Sequence, residues 1–351
     1  MRKLIVVLVL ALFAVPVFAQ DAELPTIADI VVASTEAETP EFTVLLAAVA
    51  AADPAFLETL SNPDAGVTVF APTDAAFGAL LEALDMSAED VLGNADLLNS
   101  VLAYHVVPGV FNAEAVVAAD GAILGTFLAH QGLLVSVTDD GAFVNEATIV
   151  ATDIAASNGI VHVIDAVLVP NMDDMMGDDM GEMMEEPTAS IAETVVAASS
   201  AEAPEFTVLL AAVLAADPSI LDTLINGGPY TVFAPTDAAF GALLEALGAT
   251  AEEVLANTDL LNTVLAYHVV PGTFVAGDIV ATAEAMGGDA ETMTSGFSIA
   301  TLLPGGLLEI GVNGGAVTIN ETVNVIATDV YATNGVIHVI DAVLVPAADE
   351  M

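Results

Sequence analysis

The sequence predicts an α+β fold made of two copies of one domain, and two observations predict it. Segments of the chain recur in the same order at a long interval, including TVFAPTDAAF, which occurs word for word at 68–77 and 231–240. Within each copy, apolar residues at helical spacing come first, and alternating, strand-like patterns follow. A run of helices followed by a run of strands is typical of α+β domains.

The repeat extends well beyond this decapeptide. EFTVLLAAV, LLEAL, VLAYHVVPG and HVIDAVLVP each occur twice. The interval is 163 residues between Tyr104 and Tyr267 but 176 between His162 and His338, so the second copy has gained thirteen residues, which we place within Val280–Gly306. Because solenoid repeats run to about 20–50 residues, copies of this length are expected to be whole domains.

Composition shifts mark the domain boundaries. The chain begins with Arg2 and Lys3, continues as an apolar run and then reaches small residues, which is typical of a signal peptide. We therefore expect export to the extracellular space or periplasm, including the cell surface. The expected divisions are a signal peptide at 1–19, a first domain at 23–170, an acidic, methionine-rich linker at 171–187, a second domain at 188–346 and a tail at 347–351.

The charge balance limits the partners. The chain has 49 acidic residues, two basic residues, both in the leader, five histidines and no cysteine. Nucleic acid and anionic lipid are disfavoured, because binding them relies on basic side chains. The partners left open are cationic proteins, acidic surfaces bridged by divalent cations, and neutral surfaces at high salt. We also expect the melting temperature to rise with salt and on acidification, since both weaken carboxylate repulsion.

Caps and apolar faces predict the helices of each copy. Ile27, Ile30 and Val31 share one helical face. Asp53-Pro54 ends one helix and starts the next with proline at an early position, and the second copy repeats this pair. SAED at 87–90 and TAEE at 250–253 fit the capping box, in which a hydroxyl and an acid three residues later bind two free amides.

The second half of each copy is predicted to be antiparallel strands. LLVSVTDDGAFV indicates a hairpin around Asp140-Gly141, and GIVHVIDAVLV indicates a closing strand.

The duplicated decapeptide is predicted to join a strand to a helix. TVF favours a strand, Ala-Pro bends the chain, and Thr73 or Asp74 can cap the helix that follows. Phe70 and Phe77 are expected in the core, with Asp74 held by amides instead of a salt bridge. The equivalent residues of the second copy are Phe233, Thr236, Asp237 and Phe240.

The order of three motifs resembles that of the fasciclin domain, the FAS1 module. These are TVFAPTDAAF, the Tyr-His pair in LAYHVVPG, and the segment that reads NGIVHVIDAVLVP in the first copy and NGVIHVIDAVLVP in the second. The resemblance covers nearly all of the chain outside the leader, linker and tail. It implies two tandem domains, each a wedge-shaped β-sandwich with flanking helices, in a secreted adhesion protein without catalysis.

The resemblance also implies a candidate partner contact at Tyr104, His105, Tyr267 and His268. The alternative is that each histidine, at the end of a helix, bonds to the last carbonyls and helps to stop the helix; we favour this alternative.

His162 and His338 are predicted to be structural. Alternation in the closing strand places His162 and Asp165 on opposite faces, so they cannot form a catalytic dyad. No spacing of histidines resembles a zinc site, no nucleophile motif is present, and we expect no metal or cofactor. His130 has no counterpart in the second copy.

The linker at 171–187 allows two interpretations. Its thioethers and carboxylates are ligands for soft and hard cations respectively. The favoured alternative is a solvated spacer, extended by its own charge.

These observations predict an exported, non-enzymatic adhesion or interaction module that binds cell-surface or matrix partners, homophilic or assisted by divalent cations, through two domains on an extended linker. The alternative is an exported small-ligand or metal-binding protein that uses an apolar cleft or the linker.

Overall fold

The computed structural model describes residues 24–37, 40–84, 86–170, 187–201, 204–285, 297–313 and 316–346. The predicted signal peptide, the tail and all but the last residue of the acidic linker lie outside these ranges, so the cation-binding and spacer interpretations of the linker stay predictions.

The first domain contains seven helices and seven strands among its described residues. They are α1 (Ile27–Thr35), α2 (Thr43–Ala51), α3 (Pro54–Ser61), β1 (Val67–Pro72), α4 (Asp74–Leu84), α5 (Ala88–Leu92), α6 (Ala95–Tyr104), β2 (Val106–Pro108), α7 (Ala113–Ala118), β3 (Ala122–Gly125), β4 (Gly132–Thr138), β5 (Gly141–Val144), β6 (Ala147–Ala156) and β7 (Gly159–Ile164).

The second domain repeats this order in its described residues. Its elements are α8 (Ile191–Ser199), α9 (Thr207–Ala215), α10 (Pro218–Asn226), β8 (Tyr230–Pro235), α11 (Asp237–Leu247), α12 (Ala251–Leu255), α13 (Thr258–Tyr267), β9 (Val269–Pro271), α14 (Ala276–Ala285), β10 (Phe297–Ala300), β11 (Leu307–Asn313), β12 (Ala316–Ile319), β13 (Val323–Ala332) and β14 (Gly335–Ile340). The α+β prediction is confirmed.

The strands of the second half of each domain pair antiparallel with one another, as predicted. The whole sheet is mixed, because the strand of the decapeptide adds one parallel pairing. In the first domain the strand order is β2-β1-β7-β6-β5-β4-β3, and β1 pairs parallel with β7. The parallel pair arises because β1 precedes most of the helices in the chain yet lies beside the last strand. All six residues of β1 are buried, as expected for a strand covered on both faces.

Two hydrophobic clusters lie on the two faces of β1. Val69 points into the cluster formed with α1, α2 and α3, around Phe42 and Leu45. Its neighbour Phe70 points the opposite way, into a cluster with β3 to β7 that includes Leu133. The second domain has the same two clusters. The decapeptide therefore joins the helical layer to the sheet.

The hairpin and one capping box are confirmed, and the closing strand is shorter than expected. Thr138 pairs with Gly141, so Asp139-Asp140 forms a two-residue turn. Thr250 and its third following residue form a reciprocal capping box. The closing strand β7 ends at Ile164 because the next residue, Asp165, turns its carboxylate back to accept the Thr148 amide, at 2.7 Å.

The extra residues of the second copy lie in two places. Tyr104 and Tyr267 occupy equivalent positions 163 residues apart. Their hydroxyls bond to Gly132 O and Leu307 O, and these two residues are 175 apart. Twelve residues are therefore inserted between α13 and β11, where α14 is four residues longer than α7. Asn145 and Asn320 bond to the same two tyrosine hydroxyls and are still 175 residues apart, whereas equivalent residues after them are 176 apart. The thirteenth residue is therefore inserted in the turn after Asn320.

The two domains pair directly through their sheets. Strand β3 of the first domain runs parallel to β10 of the second, which joins the two sheets into one order of fourteen strands. Ile123 packs into a cluster of the second domain, and Ala300 packs into a cluster of the first. This corrects the expectation of two domains held together only by an extended linker. The pairing covers the edge strands of both sheets, whose backbone N–H and C=O groups would otherwise be unpaired.

Polar contacts reinforce the junction. The backbone amide of His130 donates to Thr273 O at 3.2 Å. The imidazole Nδ1 of His130 lies 2.5 Å from the Asp278 carboxylate. The hydrogen bond to Asp278 raises the pKa of His130, against an opposing effect of burial. His130, which has no counterpart in the second copy, therefore connects one domain to the other.

A glycine at the junction provides a test of the pairing. A Cβ on Gly125 would stand 1.8 Å from Pro271 O across the interface, so G125A should separate β3 from β10. We expect a larger radius of gyration by small-angle X-ray scattering and faster amide exchange in both strands. G78A is the control, since a Cβ there meets nothing within 4 Å. Unchanged scattering and exchange in G125A would refute the pairing.

Candidate functional site

The duplicated decapeptide caps two helices at once. The Thr73 hydroxyl accepts the Ala76 amide at 3.1 Å and so caps its own helix, α4. The Asp74 carboxylate instead caps α2, accepting the Thr43 amide at 3.1 Å, the Thr43 hydroxyl at 2.6 Å and the Val44 amide at 2.9 Å. Amides and a hydroxyl thus hold Asp74, in agreement with the sequence analysis.

The cap is reciprocal. The Glu41 carboxylate, just before α2, accepts the amide of Asp74 at 2.7 Å, so each helix start supplies the carboxylate that caps the other. Phe42, between them, has a left-handed backbone and no side-chain cap of its own. The second domain repeats the arrangement with Glu205, Thr207 and Asp237. The sequence signal for Glu41 and Glu205 was the repeated EFTV segment, but the sequence pattern alone did not connect that segment to the decapeptide.

The Tyr-His pairs lie inside the domains. His105 is 3% exposed; its Nδ1 lies 2.6 Å from Val101 O, and its Nε2 accepts the Leu168 amide at 2.9 Å. The Tyr104 hydroxyl donates to Gly132 O at 2.9 Å. His268 and Tyr267 make the equivalent bonds in the second domain. This geometry supports the helix-stop alternative, and recognition of a partner by these four residues stays a prediction.

These contacts define the protonation state of the pair. Because Nε2 accepts an amide proton, the ring is neutral with its proton on Nδ1. Burial lowers the pKa of His105 and of His268 to about 4, and the hydrogen bond to the carbonyl of Val101 or Val264 opposes the shift. Neither ring nitrogen is free to exchange a proton with a substrate.

The histidines of the closing strands are held in the same way. His162 bonds through Nε2 to Phe111 O at 2.7 Å, accepts the Asp153 amide at Nδ1, at 3.4 Å, and stacks on Phe70. His338 repeats these contacts with Phe274, Asp329 and Phe233. Burial lowers the pKa of both histidines. Each ring thus ties its strand to the loop before α7 or α14.

Asparagine is a structural residue that the sequence analysis did not single out. The Asn158 side chain accepts the Ile27 amide at 2.9 Å and donates to Leu60 O at 2.9 Å, so it ties α1 and α3 to the sheet. Asn334 does the same in the second domain. The Asn-Gly at the start of the third motif was the available signal.

The described residues bring together no group of three or more His, Asp or Glu that could hold a metal ion. In the same residues no single helix is long and apolar enough to cross a membrane, although α9 and α10 together, bent by 118°, have the length and composition. Within the described chain, then, the motifs form structural joints instead of a converging set of reactive groups.

The fold and these joints define a tandem α+β domain protein, and comparison identifies its family. The fasciclin domain model matches residues 40–170 and 204–346. The chain belongs to the fasciclin domain family, which confirms the resemblance seen in its motifs.

Relatives cover the chain to different extents. Protein sll1483 of Synechocystis is 43% identical over 133 residues, covering 37% of this chain and 68% of that protein. Transforming growth factor-beta-induced protein ig-h3 of Sus scrofa is 31% identical over 283 residues, 80% of this chain, and the match spans 34% of ig-h3. A solved FAS1 domain pair from the insect cell adhesion molecule fasciclin I aligns with a TM-score of 0.36 at 20% identity, covering 86% of this chain and 96% of that one.

Removing one reciprocal cap should destabilise its domain. We expect D74A to lower the free energy of unfolding by about 1–2 kcal/mol, because it leaves amides of α2 without a partner. D237A should cost about as much in the second domain. E58A, at an exposed carboxylate of α3, is the control for lost charge and should change stability by less than about 0.5 kcal/mol. Urea unfolding measures these values; equal losses in D74A and E58A would contradict the cap.

Stability should fall on acidification when carboxylate repulsion is screened. The folded pKa of about 4 for His105 and His268 lies below the unfolded value of about 6.5. The unfolded chain therefore binds more protons between these values, and stability is lost as pH falls through that range. Each of the two contributes up to about 1.4 kcal/mol per pH unit.

The measurement is urea unfolding at about pH 7 and about pH 5 in about 1 M NaCl, where screening acts within roughly 3 Å. H130Q is the control. The pKa of exposed His130 is raised instead of lowered, so His130 does not cause the loss of stability at low pH, and H130Q should still lose stability between about pH 7 and about pH 5. A stability that rises toward the lower pH in high salt would mean that carboxylate repulsion, as the composition alone predicts, dominates.

Proposed function

We propose that this protein is an exported, non-enzymatic adhesion or interaction module that contacts cell-surface or matrix partners through its paired fasciclin domains. Membership in the fasciclin family supports this function, since adhesion is what the family resemblance implies. The observation that carries it is that the motif histidines and tyrosines bond to backbone groups inside the domains.

An enzymatic role has little support from these groups. General acid-base catalysis requires a side chain that exchanges protons within reach of a substrate. The four motif histidines each have both ring nitrogens engaged, and burial lowers the pKa of all four. They serve better as joints than as reactive groups.

The surface charge suggests the partner's chemistry. The described residues contain no Lys or Arg, so the surface attracts cationic proteins and can meet another acidic surface only through bridging divalent cations. A second copy of the chain, with calcium between the two, is one such partner. Because β3 and β10 pair the domains, two weak contacts are presented together, and the second forms at high effective concentration.

The test is a binding assay with the exported chain immobilised. We expect it to retain surface proteins of the producing cell, or a second copy of itself, more strongly with calcium than with a chelator. G78A should bind as the natural chain does, and G125A should bind less because its domains are no longer paired. Binding no greater than that of an equally acidic unrelated protein, under both conditions, would refute the proposal.

A further inference from the structure

One histidine and one carboxylate face each other across the junction between the two domains. The imidazole Nδ1 of His130 in the first domain lies 2.5 Å from the carboxylate of Asp278 in the second. The described residues contain no Lys or Arg, so a protonated histidine is the cationic side chain available there. We propose that proton binding at His130 controls the pairing of the domains, so that the pairing is tighter in mildly acidic surroundings and looser above neutral pH.

The strand pairing beside this contact is short. Strands β3 and β10 are in register at Ala122 with Ser298 and at Ile123 with Ile299. By comparison, β1 is paired with β7 along its whole length inside the first domain. Because few backbone bonds join the two sheets, one charge-assisted hydrogen bond is enough to change the population of paired domains measurably.

Contacts that do not depend on charge hold His130 against the second domain. Its φ is 67°, in the left-handed region that residues other than glycine adopt at a cost in free energy. The backbone amide of His130 donates to Thr273 O of the second domain at 3.2 Å. The Thr126 hydroxyl donates to Gln131 O at 2.9 Å and closes the loop that carries His130. The imidazole is therefore already placed at Asp278 before it takes up a proton.

The carboxylate of Asp278 is held in place as well. Its Oδ2, which contacts His130, also accepts the Val275 amide at 3.2 Å at the start of α14. The positive end of the helix dipole favours a carboxylate at this position. Asp278 therefore stays with α14, and the contact with His130 is broken when the two domains separate.

Few other titratable groups lie near this contact. The Asp329 carboxylate accepts the Ala276 amide at the same helix start, at 2.9 Å, and lies 4.0 Å from the Nδ1 of His338. Burial lowers the pKa of His338, so this ring is uncharged at neutral pH. The segments at the junction, which are β3, β10 and residues 126–131, 272–277 and 301–306, contain no ionisable side chain besides His130. His130 therefore sets the charge that Asp278 meets near neutral pH.

The direction of the pH effect follows from the pKa of His130. The hydrogen bond to Asp278 raises this pKa, against an opposing effect of burial, whereas a histidine without a partner has a pKa of about 6.5. Between these two values the paired state binds more protons than the separated state. The contribution of His130 to pairing is therefore complete below about pH 6.5 and is lost as pH rises through the pKa of the paired state.

The first test measures the pKa of His130 by proton NMR of the exported chain over a series of pH values. The chain has five histidines, and the signal that is missing in H130Q belongs to His130. We expect a pKa above about 6.5 in the natural chain and a fall toward that value in D278N. E58Q, which removes one exposed carboxylate of α3, is the matched control and should leave the pKa unchanged. Equal values in the natural chain and D278N would overturn the proposal.

The second test measures the pairing itself. Amide exchange of β3 and β10 is compared between the natural chain and H130Q at about pH 6 and again at about pH 8, so that intrinsic exchange rates cancel within each comparison. We expect H130Q to speed exchange at least about threefold more at the lower pH than at the higher. A contact that acts only through its shape would give the same ratio at both pH values, and that result would refute control by the proton.

A permanent charge provides the last comparison. H130K keeps a positive charge at both pH values, so β3 and β10 should exchange as slowly at about pH 8 as at about pH 6, again relative to the intrinsic rates. Exchange in H130K as fast as in H130Q at the higher pH would contradict the proposal. In a G125A background, where β3 and β10 are separated, H130Q should have no effect at either pH, and a retained effect would place the action of His130 elsewhere than the junction.

Discussion

The absence of lysine and arginine from the described chain requires its partly buried polar side chains to bond to the backbone. A buried carboxylate or imidazole without a partner costs several kcal/mol, and here no cationic side chain except a protonated histidine can supply one. Asp74 and Asp237 therefore cap helices, and His105, His162, His268 and His338 each link two backbone segments. Helices, strands and loops are joined by these bonds, so the layers keep their relative positions without salt bridges.

This constraint also explains what the decapeptide does. A carboxylate at a helix N-terminus is stabilised by the free amides and by the positive end of the helix dipole, which together replace a cation. The reciprocal cap uses that stabilisation twice at one place, because Glu41 and Asp74 each serve the helix of the other. Substitution of Asp74 would leave the Thr43 and Val44 amides without this partner, and substitution of Glu41 would do the same to the Asp74 amide. The identity of the decapeptide in the two copies, part of a run of seventeen identical residues at 68–84 and 231–247, is consistent with that demand.

Local sequence patterns predicted most of the fold, but they did not predict pairing between strands and helices far apart in the chain. The Asp-Pro helix starts, the capping box at Thr250 and the hairpin around Asp140-Gly141 depend on neighbouring residues and were visible in the sequence. The parallel pairing of β1 with β7 and the reciprocal cap join residues tens of positions apart, and the strand periodicity is the same for either direction of pairing. The Tyr-His pair had two interpretations because sequence does not report burial. The burial of the pair depends on the fold, which brings the Leu168 amide, 63 residues away, to the Nε2 of His105.

The two copies share their helix caps and the backbone bonds of their buried histidines, whereas the residues at the junction between the domains differ. Gly125 lies against Pro271 at the junction, where a Cβ would not fit, whereas the equivalent residue at the end of β10 is Ala300. His130 of the first domain contacts Asp278 of the second, and His130 has no counterpart in the second copy. A pairing of identical surfaces would offer no reason for such asymmetry, so the junction has been shaped by substitutions in each copy separately. Since the caps and the bonds of the buried histidines stabilise each domain, the surfaces around them are free to change.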